Sequence, residues 1–379
     1  MRLLHTSDWH LGRSLHRADL GDAQAGFLDD LVGTVRREGV DVVVVSGDVY
    51  DRAVPPVAAV DLCASALVRM REHGARVVVI SGNHDSARRL GFGADLVDAS
   101  GVFLRTRPER CAVPLVLDGV SFVAVPYLEP EAVRDVLPPD PDGDPAAPRG
   151  HAGVLGRALR CARSAVTTPH SVVLAHAWVS GGQASDSERD ITVGGVGAVP
   201  ASLFDGFTYG ALGHLHGPQV LAEGLRYSGS PLAYSFSEAG QRKGSWLVEL
   251  TGAGLGVVEH VPAPVPRRLS SVTGTLEDLL HHRRHDVLQD RWLSVVLTDE
   301  VRPEDAMTRL RTRFPHLLVL EWRPCGGGRD ERTYGARTRG KGDLEVAGEF
   351  VAHVRHSPAT RAEVDLLQEA FEAGRQAAG

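Results

Sequence analysis

Several features that would place a chain in a functional class at once are scarce here. The 379 residues carry 41 Lys and Arg against 48 Asp and Glu, a formal net charge of −7. The chain therefore lacks the positive excess with which a protein coats nucleic acid by bulk charge alone, although a local phosphate-contacting site stays open. Only four cysteines are present and none forms a Cys-x-x-Cys pair, which argues against a thiolate zinc site and against a disulfide framework.

Long apolar segments are also missing. No apolar run approaches the ~20 residues that cross a bilayer, and the first ten residues, MRLLHTSDWH, have no signal-peptide core. We expect a protein of the reducing cytoplasm with no membrane partner. At ~150 residues per domain, the length predicts two or three domains.

The first hundred residues alternate between buried-strand and helix patterns. Short β-branched runs at Val40–Val45 and Val77–Ile80 follow helical stripes of apolar residues, and each run ends in a polar cluster. Continuous apolar strands separated by helices are typical of sheets covered on both faces. In such sheets functional groups gather beyond the carboxyl ends of the strands.

The rest of the chain is richer in strand patterns. The prolines at 262, 264 and 266 form a stiff connector and mark the best domain boundary. A small α+β module follows it, then an Arg-rich stretch (Cys325–Gly342) that we interpret as a loop, then a helix that a capping-box pattern starts at Thr360. The sequence thus predicts a domain over residues 1–262, a second over 267–323 and a helical segment over 343–379.

Five short polar motifs, each closing a strand pattern, carry the chemistry. They are Asp8-Trp9-His10, Gly47-Asp48-Val49-Tyr50-Asp51, Gly82-Asn83-His84-Asp85, Ala175-His176 and Gly213-His214-Leu215-His216. Alternate residues of a strand share a face, so each Asp-x-His or His-x-His pair is expected to aim two ligands the same way. Each motif alone is commonly a turn. All five in this order are hard to explain as turns.

The donor set predicts a two-metal site. Asp, Asn and His without Cys suit Mn²⁺, Fe or Zn²⁺ better than Ca²⁺. The motifs offer at least seven such donors, which is too many for one tetrahedral ion. Two ions that share a bridging carboxylate would use seven donors.

The ordered motifs resemble those of the calcineurin-type metallophosphoesterases. More narrowly, MRLLHTSDWHLGRSL, VSGDVYDRAVPP, SGNHDS, ALGHLHGPQ and YSGSPLAYSFSE resemble the SbcD family, the nuclease subunits of bacterial SbcCD complexes. The resemblance is strong from residue 1 to about residue 240 and looser beyond. It implies a four-layer αββα sandwich with a small α+β capping domain over DNA and a C-terminal helical tail.

The resemblance also implies a role for each matching residue. Asp8, His10 and His216 would hold a first metal, Asn83, His176 and His214 a second, and Asp48 would bridge them. His84 would act on the substrate, and the Asp51 carboxylate would orient the His84 ring. Asp85 is expected to brace its loop. DNA contacts are expected at Ser228, Ser230, Arg329 and Arg332.

The function implied is a nuclease subunit for DNA repair and recombination. It would act with two divalent ions, most simply Mn²⁺, as an exonuclease on double-stranded ends and an endonuclease on single-stranded or hairpin DNA. Its partners would be an SbcC-type ATPase, which the C-terminal segment would dock, and a second copy of the chain within a heterotetramer. Two other classes stay open: a stand-alone phosphodiesterase for nucleotides or other small diesters, and a catalytically silent scaffold.

Overall fold

The structure is a computed structural model, and it describes residues 1–141, 150–191, 197–324, 341–355 and 357–378. The chain divides into two units, Met1–Leu269 and Ser270–Gly379. No helix in the described ranges is long and apolar enough to cross a membrane.

The strands and helices of the described residues are numbered in chain order. The strands are β1 (Arg2–Thr6), β2 (Ser14–Leu15), β3 (Ala18–Asp19), β4 (Val42–Ser46), β5 (Arg76–Ile80), β6 (Val102–Arg105), β7 (Leu115–Leu117), β8 (Val120–Val125), β9 (His170–His176), β10 (Tyr209–Gly213), β11 (Gln219–Ala222), β12 (Leu225–Tyr227), β13 (Gly244–Thr251), β14 (Gly254–Pro262), β15 (Leu269–Gly274), β16 (Trp292–Leu297) and β17 (Leu317–Trp322). The helices are α1 (Gly21–Glu38), α2 (Val57–Glu72), α3 (Ala87–Leu90), α4 (Ala94–Val97), α5 (Pro130–Val133), α6 (His151–Ala165), α7 (Leu276–His281), α8 (Ala306–Arg313), α9 (Asp343–Arg355) and α10 (Arg361–Ala378).

Two six-stranded sheets form the centre of the first unit. Their strand orders are β14-β13-β1-β4-β5-β6 and β11-β12-β10-β9-β8-β7. Strands β1, β4, β5 and β6 run parallel, as do β8, β9, β10 and β12, while β7, β11, β13 and β14 pair antiparallel.

Alternate residues of each strand build two different cores. Val42 and Val44 of β4 pack toward the second sheet, in one cluster with Val172 and Leu174 of β9. Val43 and Val45 point the other way, into a cluster with α1 and α2, while α6 covers the outer face of the second sheet. Since each central strand is buried on both faces, its pattern is continuously apolar. The predicted four-layer αββα sandwich is confirmed.

The second unit has its own core. Strands β15, β16 and β17 form a three-stranded sheet, and the cluster on it includes Leu279 of α7, Leu310 of α8 and Phe314, which directly follows α8. The helices α9 and α10 form the C-terminal segment. The small α+β domain and the C-terminal helices are thus present as predicted.

One long helix escaped prediction. Helix α6 contains Gly153 and Gly156, both poor helix formers, although its buried residues Leu155, Ala158, Leu159 and Ala162 do recur at helical spacing. It is stabilised by tertiary packing, since Leu155 and Leu159 are buried against the second sheet.

Candidate metal centre

The five motifs meet where the carboxyl ends of five parallel strands converge. Strands β1, β4 and β5 end just before Asp8, Asp48 and Asn83, and β9 and β10 end at or just before the histidines of the other two motifs. The main chain joins the first two motifs, because the Asp8 and His10 N–H groups donate to the carbonyls of Gly47 and Asp48 at 3.0 Å each.

The expectation that strand alternation aims the paired ligands is wrong, although the ligands do converge. Strand β1 ends at Thr6 and β10 at Gly213, so Asp8, His10 and His214 lie beyond the regular strands. Their φ values are 52°, 46° and 106°, all positive. The chain turns through left-handed conformations here, and strand alternation does not aim these side chains.

Asp8, His10 and His216 form the first group of donors. One ligand atom from each lies within 4.8 Å of the others, and all three side chains are buried. His10 Nε2 and His216 Nε2 face each other at 3.1 Å. Two imidazole nitrogens bound to one ion at ~2.1 Å each would stand about this far apart.

Asn83, His176 and His214 form the second group. Asn83 Oδ1 lies 2.9 Å from His176 Nε2 and 3.2 Å from His214 Nδ1. Asp48 lies between the two groups: its Oδ2 is 3.4 Å from His176 Nε2 and 3.6 Å from His10 Nε2. This is the position that a bridging carboxylate requires.

The orientation of the His176 ring favours a cation beside its Nε2 atom. Its Nδ1–H donates to the Ser46 carbonyl at 2.9 Å, which leaves the Nε2 lone pair facing oxygens of Asn83 and Asp48. Burial disfavours a charged imidazole, yet the Asp48 carboxylate outweighs burial and raises the pKa of His176 to about 9. A divalent ion supplies the positive charge that a proton supplies otherwise, so the donor set fits a metal.

The carboxylates agree with this interpretation. Burial raises the pKa of the Asp8 carboxyl to about 6, because a lone charge is poorly solvated there. Burial acts on Asp48 in the same direction, but His176 and His10 hold its pKa well below the usual range.

His84 stands at the edge of the centre and is only half-buried. Its main-chain N–H donates to Asp48 Oδ1 at 2.8 Å, and its ring lies edge-on to His10 with centroids 4.7 Å apart. The ring Nδ1–H donates at 2.8 Å to the main-chain carbonyl of Asp51. Nε2 is therefore the nitrogen left for a substrate.

The Asp51 carboxylate does not take the place expected for it. It lies 3.7 Å from His10 Nδ1 and 3.6 Å from Arg13 Nε, so the His84 ring is oriented by the Asp51 main chain instead. Asp85 braces its loop as expected, since its carboxylate accepts from the N–H groups of Val49, Tyr50 and Gly82 at 2.9–3.1 Å.

The predicted DNA contacts at Ser228 and Ser230 disagree with the structure, because both side chains are fully buried. Ser228 Oγ lies 2.7 Å from Ser7 Oγ, which in turn donates to the Asp8 carboxylate. Ser230 Oγ accepts from Lys243 at 2.9 Å. Both hydroxyls are therefore hydrogen-bonded to interior residues next to the centre, Ser7 and Lys243, rather than exposed to DNA. Arg329 and Arg332 lie outside the described residues.

The five sequence motifs do not include the residues that bind the ring and the main chain of His216. Its Nδ1 lies 2.5 Å from Ser187 Oγ, and its main-chain N–H donates to Glu188 at 2.7 Å. Behind these lie Glu238 and Lys243, both buried. Burial raises the pKa of Glu238, but His216 and Lys243 overcome it and hold that pKa well below the usual range.

Two family models match the chain. Residues 1–128 match the calcineurin-like phosphoesterase model. Residues 265–355 match the SbcD C-terminal model, described as the type 5 capsule protein repressor C-terminal domain.

Solved structures show a weaker likeness. TT1561 of Thermus thermophilus is 13% identical, with 68% of this chain and 98% of that chain covered and a TM-score of 0.39. GAP50, the anchor in the inner membrane complex of Plasmodium, is 10% identical over 86% of this chain and 98% of its own, with a TM-score of 0.38. At these TM-scores neither likeness bears on function.

Proposed function

We propose that the chain, whose two family matches support an SbcD-type metallophosphoesterase, is the nuclease subunit of a DNA-processing complex. The complex would trim double-stranded ends and cut single-stranded or hairpin DNA during repair and recombination in the cytoplasm. An SbcC-type ATPase would be its partner. Within the chain, residues 1–262 would cut, 267–323 would cap the DNA, and the 343–379 segment would dock the ATPase.

The observation that carries the proposal is the position of Asp48. Its carboxylate lies between the two groups of donors, within 3.6 Å of a histidine from each. Asp8, His10 and His216 would hold one ion, and Asn83, His176 and His214 the other. Two divalent ions, for which we propose Mn²⁺, would supply Lewis-acid activation of water and neutralise the phosphate charge.

The protein residues orient the substrate and move the proton. His84 Nδ1–H is committed to the Asp51 carbonyl, so the ring presents Nε2 outward. When protonated, Nε2 stabilises charge on the phosphoryl oxygens or donates to the leaving oxygen, as a general acid does. Asp48 Oδ1 accepts the His84 main-chain N–H, which fixes this histidine relative to the bridging carboxylate.

The net charge of −7 gives the partner a further task. Two divalent ions would bring the formal total to −7 + 4 = −3, which is still negative. Long-range attraction of DNA to the isolated chain is therefore weak, and we propose that the ATPase and a second copy of the chain, in a heterotetramer, supply much of the grip.

The test compares three substrates with Mn²⁺ present: linear duplex DNA, hairpin DNA and bis-p-nitrophenyl phosphate. The purified chain is assayed alone and with its ATPase, beside an Asp48→Asn variant. We expect cleavage of all three substrates, with DNA cleavage stimulated by the ATPase and all activities lost in the variant. Cleavage of the small diester alone, even with the ATPase present, would refute the nuclease proposal and favour a small-diester phosphodiesterase.

A further inference from the structure

Two segments remote from the five motifs converge on the His216 ring. Ser187 Oγ is 2.5 Å from His216 Nδ1 and within hydrogen-bond distance of the Glu238 carboxylate on its other side. The three side chains are 9%, 1% and 1% exposed in the order Ser187, His216, Glu238. Bulk water therefore does not compete for these hydrogen bonds.

The direction of each hydrogen bond follows from proton counting. An ionised carboxylate only accepts, so the single Ser187 hydroxyl proton goes to Glu238. The Ser187 oxygen then accepts from His216 Nδ1–H. Nε2, which faces His10 Nε2 at 3.1 Å, is then the ring nitrogen left to bind a metal.

Lys243 holds this arrangement in place. Its ammonium group contacts the Glu238 carboxylate, the His216 carbonyl at 2.8 Å, Ser230 Oγ at 2.9 Å and Gln241 Oε1 at 2.7 Å. The charge of Lys243 keeps Glu238 ionised in a buried place, and the contact with the His216 carbonyl fixes the main chain of the same histidine. Breaking either partner of such a buried pair leaves the other uncompensated.

The second group of donors is built differently. His176 Nδ1 donates to a main-chain carbonyl, that of Ser46, rather than to a side chain. Among the contacts of the described residues, none of the Ser187, Glu238 and Lys243 side chains is hydrogen-bonded to His176 or His214. A change in these three residues should therefore act on one group and spare the other.

We propose that Ser187, Glu238 and Lys243 form a positioning relay that sets the affinity of the first metal ion without setting that of the second. The proposal rests on the proposed two-metal function. Loss of an outer hydrogen-bond partner of a metal-bound histidine lowers metal affinity by about 10–100-fold, so a relay variant should lose about that much in one binding step.

The experiment titrates the metal-free full chain with Mn²⁺, by calorimetry and by electron paramagnetic resonance. Ser187→Ala removes one hydroxyl. Ser121→Ala is the matched control, because Ser121 is a buried serine on a strand of the second sheet whose hydroxyl is hydrogen-bonded to Thr168. Glu238→Gln tests the relay a second time, and Asn83→Ala weakens the second group and so identifies its binding step.

For the parent we expect two bound ions with a spin-coupled signal. The binding step that Asn83→Ala leaves intact is that of the first ion. In Ser187→Ala and Glu238→Gln, the Mn²⁺ affinity of this step should fall about 10–100-fold. At intermediate Mn²⁺ concentration, a mononuclear signal should then replace the spin-coupled one. Ser121→Ala should match the parent. Unchanged affinities, or equal weakening of both steps, would overturn the relay while leaving the two-metal function standing. A parent that binds no Mn²⁺ would overturn both.

Discussion

Gly213, the residue before the last His-x-His pair, offers the sharpest structural test of the centre. It ends β10 at a point where the two sheets touch, and a Cβ there would overlap the carbonyl oxygen of Ser46 at the end of β4. The same Cβ would lie 2.9 Å from the Ser46 carbonyl carbon and 3.0 Å from His176 Nδ1. Each of these atoms belongs to the second group of donors or to the main chain that supports it.

The required movement can be estimated from these distances. Ordinary contact begins at 3.4 Å, so the Ser46 carbonyl carbon must retreat by at least 3.4 − 2.9 = 0.5 Å. Metal–ligand distances tolerate only about ±0.2 Å. Because His176 donates to this carbonyl, Gly213→Ala should displace the imidazole beyond that tolerance. We expect Mn²⁺ affinity to fall at least ~10-fold, and the strain to lower the free energy of unfolding by about 1–3 kcal/mol.

Calorimetric Mn²⁺ titration and urea unfolding of the metal-free protein measure the two effects. Gly26→Ala is the matched control: Gly26 lies within α1 and a Cβ there meets nothing within 4 Å. Its substitution should leave metal binding unchanged and stabilise the helix by roughly 1 kcal/mol. A folded Gly213→Ala protein that binds two ions with parental affinity would refute the close-approach argument.

Three further outcomes follow from the centre. His84→Gln should lower hydrolysis of bis-p-nitrophenyl phosphate by ~10²–10⁴-fold with Mn²⁺ binding intact in calorimetry; loss of both ions would show that His84 is a ligand. Mn²⁺ at 100 times its Kd should raise the free energy of unfolding by about 2.7 kcal/mol per site over EDTA-treated protein, whereas no rise would exclude a native metal site. The folded-state pKa of Glu238 is depressed, so its contribution to stability is present above the unfolded pKa of about 4.3 and is lost as pH falls. Unfolding of the metal-free parent between about pH 4 and pH 3 should therefore depend on pH more steeply than that of Glu238→Gln, by up to about 1.4 kcal/mol per unit; equal slopes would contradict the depressed pKa.

Sequence patterns predicted the fold well where burial is regular. Strands β4 and β5 are continuous apolar runs because both their faces are covered, and this signal is local. The residues that meet at the strand ends were also predictable, because the carboxyl ends of parallel strands lie at one edge. The contacts between individual residues could be seen only in the structure. For example, the main-chain carbonyl of Asp51, and not its carboxylate, accepts the hydrogen bond from His84.

The roles of the residues that support His216 could not be predicted from the sequence, although Glu238 is the last residue of the segment YSGSPLAYSFSE that carries part of the family resemblance. Ser187 lies 29 residues before His216 and 51 before Glu238, and serine and glutamate are common surface residues. Only the folded chain shows that these two are buried and adjacent. The prediction that Ser228 and Ser230 contact DNA was wrong for a similar reason, since a Ser-Gly-Ser-Pro turn has the same sequence whether it faces solvent or the interior.

The backbone at the centre explains why ligand geometry does not follow from strand periodicity. Asp8, His10 and Asp48 have φ between 46° and 52°, where an L-residue costs about 1–2 kcal/mol relative to the right-handed region. Two hydrogen bonds between the motifs, Asp8 N–H to Gly47 and His10 N–H to Asp48, hold these residues in that conformation, and the Asp8 carboxylate accepts the His214 N–H at 3.0 Å. A proposed ligand of the first ion thus bonds the main chain of a proposed ligand of the second, in the opposite sheet. Positions at one edge are set by the strands, but the aim of each donor is set by such cross-bonds, so a substitution at Asp8 should disturb both ions.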